Sequence, residues 1–369
     1  MKSRERGYKN RSHEDADLGK CSAENQRGRA ASCRELFHLL FGKRSKLQQS
    51  LAMWLYVAAL LGLYFLFRRY REQQILGNLI EKYVFITGCD SGFGNLLARK
   101  LDARGIRVLA ACLTQQGAEK LKEATSERLQ TTLLDVTQTE SVARAAKWAK
   151  GIVGDKGLWG LVNNAGVSVP TAPNEWLTKE DFKKIIDINL LGVVDVTIHM
   201  LPLIRRAKGR IVNVASVMGR ISLFGGGYCP SKYGVEAFSD SLRLELDAFG
   251  VKVCIIEPGY FRTAITNEKL LSDNFQSLWK QVPEETKKAY GEPYLNHMLD
   301  STIKMQKDCN PNLSLVTDCM EHALTSVYPR TRYSAGWDAK LFFLPMSYMP
   351  TWLPHWIVTR TYPKPAQSF

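Results

Sequence analysis

The 369-residue sequence contains no Cys-x-x-Cys pair and no cluster of Cys with His, although it has eight Cys and six His. This spacing excludes a zinc ribbon or finger and a disulfide scaffold, leaves the cysteines as plain thiols, and assigns no metal ligand. Gly (27) and Pro (14) are too few for a collagen-like or mucin-like chain, and 45% hydrophobic with 23% charged residues is an ordinary globular composition. Charge balance is also missing: the formal net charge is +14. Residues 1–50 carry twelve Lys or Arg against six Asp or Glu and show no sustained periodicity, so they read as a basic, disordered leader. No aromatic stacking motif or finger spacing accompanies this charge, and a nucleic-acid partner is therefore not expected. The rest of the positive charge suits a membrane surface or a phosphate-bearing cofactor.

One run, Leu51 to Phe67, has no charge at all and ends abruptly at Arg68-Arg69-Tyr70-Arg71. Seventeen residues at a rise of about 1.5 Å span roughly 25 Å, enough for a membrane anchor helix at 51–67, and Trp54 and Tyr64 suit its interfaces. It lies too far into the chain and lacks a small-residue cleavage site for a signal peptide. Lys43, Arg44 and Lys46 flank one side as the arginines flank the other, so charge leaves the orientation open. Met53 at the start of the run allows an alternative start that would omit residues 1–52.

Beyond the anchor, a rhythm of strands and helices sets in. The apolar strand Tyr83–Thr87 enters a turn with Gly88, Gly92 and Gly94, and a helical stretch from Asn95 to Arg104 precedes a second strand, Arg107–Cys112. Strand, glycine turn, helix and strand form the context of a dinucleotide fingerprint. Gly88 permits the tight turn, Gly92 lets backbone approach a pyrophosphate, and Gly94 allows close helix packing. The second strand ends in Ala111-Cys112-Leu113-Thr114, without a basic partner for a 2′-phosphate, which favours NAD over NADP. Thr131–Val136 reads as a further strand whose Asp135 either accepts from the adenine amino group or caps the helix predicted from Thr137 to Lys150. Gly157–Asn163 leads into Asn164-Ala165-Gly166, and one long apolar helix is predicted over Phe182–Met200. Asn189 lies within it, and a neutral amide in such a helix must find partners.

Gly209–Ser216 is a strand that delivers a hydroxyl at its end. Twelve residues later come Tyr228 and Lys232, four apart and so on one face of a helix. An ammonium beside a phenol favours phenolate, so the Tyr228 system is expected to titrate below free tyrosine. In this constellation Tyr228 takes an alcohol proton, Ser216 holds the same oxygen, and a nicotinamide accepts hydride. No Gly-x-Ser-x-Gly elbow surrounds Ser216 and the His residues form no triad pattern around it, which disfavours a serine hydrolase. A non-catalytic membrane-tethered binding protein would have little reason to carry the three side chains together.

The turn Thr87-Gly-x-x-x-Gly92-x-Gly94, Asn163-Asn-Ala-Gly166, Asn189, Ser216 and Tyr228-x-x-x-Lys232 stand in the order and approximate spacing of the short-chain dehydrogenase/reductases, which the chain resembles over about residues 80–270. Trp54-Leu-Tyr, Phe85-Ile-Thr-Gly-Cys-Asp-Ser-Gly-Phe-Gly-Asn95, Ile256-Glu-Pro-Gly-Tyr-Phe-Arg-Thr263 and Thr331-Arg-Tyr-Ser-Ala-Gly-Trp-Asp-Ala-Lys340 resemble the microsomal retinol dehydrogenase group, over about residues 53–367. The resemblance implies an α/β fold with a doubly wound, seven-stranded parallel sheet of Rossmann type behind an N-terminal transmembrane helix. It implies a catalytic tetrad of Asn189, Ser216, Tyr228 and Lys232, with Asn189 holding a water that links Lys232 to a proton relay. Its cofactor-binding set would be Thr87, Gly88, Ser91, Gly92, Phe93, Gly94, Asp135, Asn163, Ala165, Gly166, Tyr228, Lys232, Pro258, Gly259 and Thr263, with Thr263 near the nicotinamide carboxamide.

The same resemblance implies oxidation of all-trans-retinol and 3α-hydroxysteroids with NAD at the endoplasmic reticulum membrane. A broader 3α/17β-hydroxysteroid dehydrogenase or epimerase is the alternative. Membrane lipid, a second copy of the chain and a retinoid-binding carrier protein are the partners it admits. Two departures stand out: the 52-residue leader lies outside the pattern, and Ala215 replaces a serine often found before the catalytic one. The expected organisation is a catalytic domain at 80–335, including a substrate lid at about 262–310, followed by an aromatic, proline-rich membrane-proximal tail at 336–369. In that tail Pro345, Pro350 and Pro354 oppose a second clean membrane crossing.

Overall fold

Short apolar segments supply the strands of the computed structural model, which describes residues 35, 46, 48–360 and 362–368. The expectations for the leader fall almost entirely outside the described residues. The chain divides into two units, Met1–Arg71 and Glu72–Phe369.

In the first unit the apolar run lies in a 25-residue helix, α1, Gln48–Glu72, with a mean hydropathy of 2.0 and none of its apolar window buried. It is longer than the expected anchor because the helix continues through the arginines, whose long side chains do not oppose helical backbone. At about 1.5 Å per residue it is long enough to span a hydrocarbon core.

In the second unit seven strands form one sheet: β1 (Tyr83–Thr87), β2 (Arg107–Cys112), β3 (Gln130–Leu133), β4 (Gly160–Asn163), β5 (Arg210–Val214), β6 (Lys252–Pro258) and β7 (Arg332–Ala335). Their order is β3-β2-β1-β4-β5-β6-β7 and every pairing is parallel. The reversal of order between β1 and β4 opens the crevice at which ligands bind in such folds. Strand periodicity divides the core. On β1, Val84 and Ile86 join one apolar layer and Tyr83 and Phe85 the other. Helices α2 (Gly92–Ala103), α3 (Gln115–Glu123) and α11 (Ser314–Thr325) cover the first face. Helices α4 (Thr139–Val153), α6 (Gly192–Ala207) and α7 (Tyr228–Leu246) cover the second.

The helix predicted over 182–200 is not a single α-helix. Helix α5 (Lys179–Ile186) passes through a π-helical turn, Asp187–Leu191, before α6 begins. Asn189 sits in that turn, where its side chain takes partners from outside the helix, as described below. The combined segment is apolar and long enough to cross a membrane, but it is partly buried against the sheet and belongs to the core. The strand expected to end on Ser216 ends on Val214. Ser216 instead caps a 3₁₀ turn, Val217–Gly219, its Oγ accepting from the Met218 N–H at 3.1 Å.

After β6 the segment expected to act as a lid forms α8 (Glu268–Gln281), α9 (Glu284–Tyr290) and α10 (Glu292–Asp308). Phe275, Leu278, Val282 and Tyr294 pack there on Ala172 and Trp176 of the segment after β4. Asn274 ties α8 to that segment: it donates to the Thr171 carbonyl at 2.6 Å and accepts from its N–H at 3.3 Å. In the tail, a π-helical turn Ala339–Phe343, α12 (Leu344–Ser347) and α13 (Trp352–Thr359) follow β7. Ala339, Phe343 and Met346 pack on Val217, Met218, Ile221 and Cys229, so the inner face of the tail walls the region that holds Ser216 and Tyr228.

Candidate active site

The glycine turn sits at the C-terminal end of β1. Gly92 adopts φ +61°, a left-handed conformation open chiefly to glycine. Gly94 has no room for a side chain, because a Cβ there would lie 2.4 Å from the Gly88 carbonyl oxygen. Thr87 Oγ1 accepts from the N–H groups of Asn164 and Ala165 at 2.9 and 3.0 Å, while Asn164 Nδ2 donates to the Thr87 and Gly88 carbonyls at 2.9 and 3.1 Å. These bonds join the β1 and β4 turns across the crevice. Ser91 begins α2 without a side-chain cap, so the first N–H groups of that helix are left to face an anion. Phe93 packs edge-on to Phe261 at 5.7 Å. Thr263 reaches within 4.0 Å of where a Gly92 Cβ would lie, which places it over the glycine turn.

One predicted cofactor residue turns its side chain elsewhere. Asn163 is buried in the core, its Nδ2 donating to Thr197 Oγ1 at 2.9 Å and Asn213 Oδ1 at 2.8 Å. Asp135 Oδ1 accepts from the Thr137 N–H at 2.9 Å and its hydroxyl at 2.7 Å in a local turn; it does not cap α4, whose N-cap residue is Gln138 without a side-chain bond. Gly259 stands beside Asp338, whose Oδ2 accepts from the Tyr260 N–H at 2.7 Å, and a Cβ at Gly259 would overlap that carboxylate.

Asp90, in the glycine turn, was not among the expected site residues. Its carboxylate lies at the end of β2, accepting from the N–H groups of Leu113 and Thr114 at 2.8 and 2.9 Å and from the Thr114 hydroxyl at 2.7 Å. The first turn thus places a carboxylate at the end of the second strand, which has none of its own. An acidic residue inside a glycine turn is the signal that could have found it.

Ser216, Tyr228, Lys232 and Asn189 converge on the neighbouring region. The Ser216 hydroxyl lies near the Tyr228 phenol and favours its ionised form. Lys232 Nζ lies 5.6 Å from the Tyr228 ring centre and donates to the Val214 carbonyl at 2.9 Å. Asn189 is fully buried: Oδ1 accepts from the Val167 N–H at 2.8 Å, and Nδ2 donates to the Val167 carbonyl at 2.8 Å and to Ser231 Oγ at 3.2 Å. These partners satisfy the amide and clamp the π-helical turn to the segment after β4. Gly166 lies between Asn189 and Lys232, its missing Cβ leaving 3.2 Å to Asn189 Oδ1 and 3.8 Å to Lys232 Nζ.

The electrostatics reverse one expectation. Burial pushes the Tyr228 phenol up to about 12, outweighing the favourable Ser216 hydroxyl. Burial also pulls Lys232 down to about 8, partly opposed by the negative field of Glu236. The protein's own groups thus disfavour the phenolate, because a desolvated anion costs more than the Ser216 hydroxyl returns.

The family follows from this order of parts. A short chain dehydrogenase model matches residues 82–273. The chain belongs to the short-chain dehydrogenases. It is 64% identical over 316 residues to retinol dehydrogenase 16 of Homo sapiens, covering 86% of this chain and all of that protein. Over the same length it is 60% identical to 17-beta-hydroxysteroid dehydrogenase type 6 of Homo sapiens. A short-chain dehydrogenase structure from Streptomyces avermitilis superposes with a TM-score of 0.60 at 25% identity, covering 76% of this chain and 98% of that one. A nicotinamide dinucleotide is the family's cofactor, and the residues present fit it: a glycine turn without room for side chains, an uncapped helix N-terminus and the Tyr228 and Lys232 side chains beside them. Asp90 and Asn164 would flank its adenosine half, and Thr263, Tyr228 and Lys232 its nicotinamide half.

Proposed function

We propose that this dehydrogenase is a membrane-bound enzyme that oxidises the hydroxyl of all-trans-retinol to the aldehyde, and 3α-hydroxysteroids to ketosteroids, using NAD. The convergence of Ser216, Tyr228 and Lys232 at the crevice beside the glycine turn carries the reading of the chemistry. Tyr228 takes the proton of the substrate hydroxyl, Ser216 aligns the same oxygen, and Lys232 stabilises the phenolate that the transfer requires. Asn189 holds the turn after β4 in register with Lys232. When bound, an oxidised nicotinamide would supply the hydride acceptor for the carbinol carbon and positive charge that favours the phenolate.

Asp90 supports NAD over NADP, since its carboxylate at the end of β2 would face a 2′-phosphate with like charge. An apolar substrate is supported by the walls: Tyr260, Phe343, Met346 and Ile357 line the Tyr228 side, and the relatives' names pair retinol with hydroxysteroids. Hydroxysteroid oxidation with little retinoid activity is the second reading, favoured by the 60% identity to the type 6 enzyme. Helix α1 would anchor the protein in the endoplasmic reticulum membrane. The tail exposes Trp337, Leu341, Tyr348, Trp352 and Trp356, which suits contact with a lipid interface.

The test uses full-length enzyme purified in detergent and assayed with all-trans-retinol and with androstanediol, each with NAD and NADP. Turnover of retinol with NAD is expected. Turnover of androstanediol alone would select the second reading, and no turnover of either would refute both.

A further inference from the structure

We propose that Asp338 is a positioning residue for substrate selection: from the root of the tail its carboxylate holds Tyr260, so that the tail and the turn after β6 form one wall for an apolar alcohol. This rests on the reading of the site as one that oxidises such alcohols, and deepens it. Strands β6 and β7 are neighbours and end level, with Pro258 opposite Ala335. Beyond that pair the Gly259 N–H donates to the Ala335 carbonyl at 2.9 Å. The Asp338 carboxylate then enters from the β7 side, and its Oδ2 accepts from the Tyr260 N–H at 2.7 Å. Room for it is made twice. A Cβ on Gly259 or on Gly336 would overlap its oxygens, and Gly336 takes φ +98°, a conformation that favours glycine.

An Asp at the start of a helical turn ordinarily caps it. Asp338 stands at the N-cap position of the turn Ala339–Phe343, yet its side chain makes no cap bond there. The carboxylate reaches 78 residues back along the chain instead. Tyr260 is held from its other side as well, its carbonyl accepting from the Asn310 N–H at 3.0 Å. With both backbone groups fixed, the Tyr260 side chain packs in the same apolar cluster as Tyr228, its ring centre 5.6 Å from that of Phe343. Phe343 closes the turn that Asp338 begins, so one carboxylate sets these two rings against each other. Gly259 keeps its own bond to Ala335, and the part of the turn expected to border the cofactor therefore does not depend on Asp338. Asp338 thus acts on the alcohol side of the site.

The experiment measures steady-state oxidation of all-trans-retinol and of androstanediol by the full-length enzyme in detergent, for Asp338→Ala, Asp338→Asn and Tyr260→Leu, each checked by a thermal melt. Asp338→Ala leaves the Tyr260 N–H without its acceptor and should raise KM for the alcohol about tenfold, with KM for NAD within about twofold of wild type. Asp338→Asn keeps an oxygen that accepts from the same N–H and should hold KM for the alcohol near the wild-type value. Tyr260→Leu keeps the Asp338 bond, removes the ring and should raise KM for the alcohol as Asp338→Ala does; it carries the test if Asp338→Ala does not fold. The proposal is overturned by an unchanged alcohol KM in Tyr260→Leu or in folded Asp338→Ala, by an equal rise in KM for NAD, or by an Asp338→Asn as impaired as Asp338→Ala. A wild-type enzyme that turns over neither alcohol would remove the reading of the site and the proposal together, whereas wild-type turnover with unshifted variants removes Asp338 alone.

Discussion

Replacing Asp90 with Asn tests the cofactor reading at one half-buried side chain. In the native protein both carboxylate oxygens are engaged: Oδ2 accepts from Leu113 N–H and Oδ1 from Thr114 N–H and Oγ1. An amide preserves one oxygen and turns an NH₂ group toward donors on the other side, at a cost of about 1 to 3 kcal/mol in stability. Charge sets the cofactor effect. A 2′-phosphate carries nearly two negative charges, and at roughly 7 Å with an effective dielectric of about 20 to 40 its repulsion from a carboxylate is roughly 2 to 5 kcal/mol. Solvent screening at this partly exposed crevice reduces that to about 1 to 2 kcal/mol. Asp90→Asn should therefore raise kcat/KM for NADP relative to NAD by about tenfold. The assay is steady-state oxidation with each cofactor, alongside a thermal melt to confirm folding. An unchanged NADP-to-NAD ratio in a folded variant would refute the idea that Asp90 faces the ribose subsite.

Leu113→Arg should narrow the NAD preference further by adding a phosphate partner at the end of β2, as read by the same kcat/KM ratio; no change would mean that position 113 does not face the ribose. Tyr228→Phe should slow the hydride step, followed by stopped flow, by about two to four orders of magnitude while NAD binding stays near wild type. Gly94→Ala should abolish NAD binding in calorimetry, or fail to fold, since its Cβ would overlap the Gly88 carbonyl at 2.4 Å; normal affinity would show that the turn can open. Carbonate extraction should leave the protein in the membrane pellet, and a variant lacking 48–72 should be released to the supernatant.

Local chemistry made much of the site legible. Tyr228 and Lys232 needed only a helix to share a face, and the glycine turn needed only a strand before it and a helix after it, because both are short-range consequences of backbone geometry. The chargeless run was likewise a property of consecutive residues. Contacts between distant segments were not readable in this way. Which of Asn163 and Asn164 faces the crevice depends on the register of β4 against β5, which pairs Asn163 with Asn213 and turns it inward. Asp90 reaches the end of β2 only because β1 and β2 lie side by side, and the π-helical turn at Asn189 is fixed by Val167, 22 residues away. The direction of the Tyr228 shift was also tertiary: residue types supplied the neighbouring ammonium, but the depth of burial, set by packing of the tail and the serine turn, determined which influence prevailed. Sequence by itself determined the elements and the reactive groups; the fold decided which of those groups face one another and how far water is kept from them.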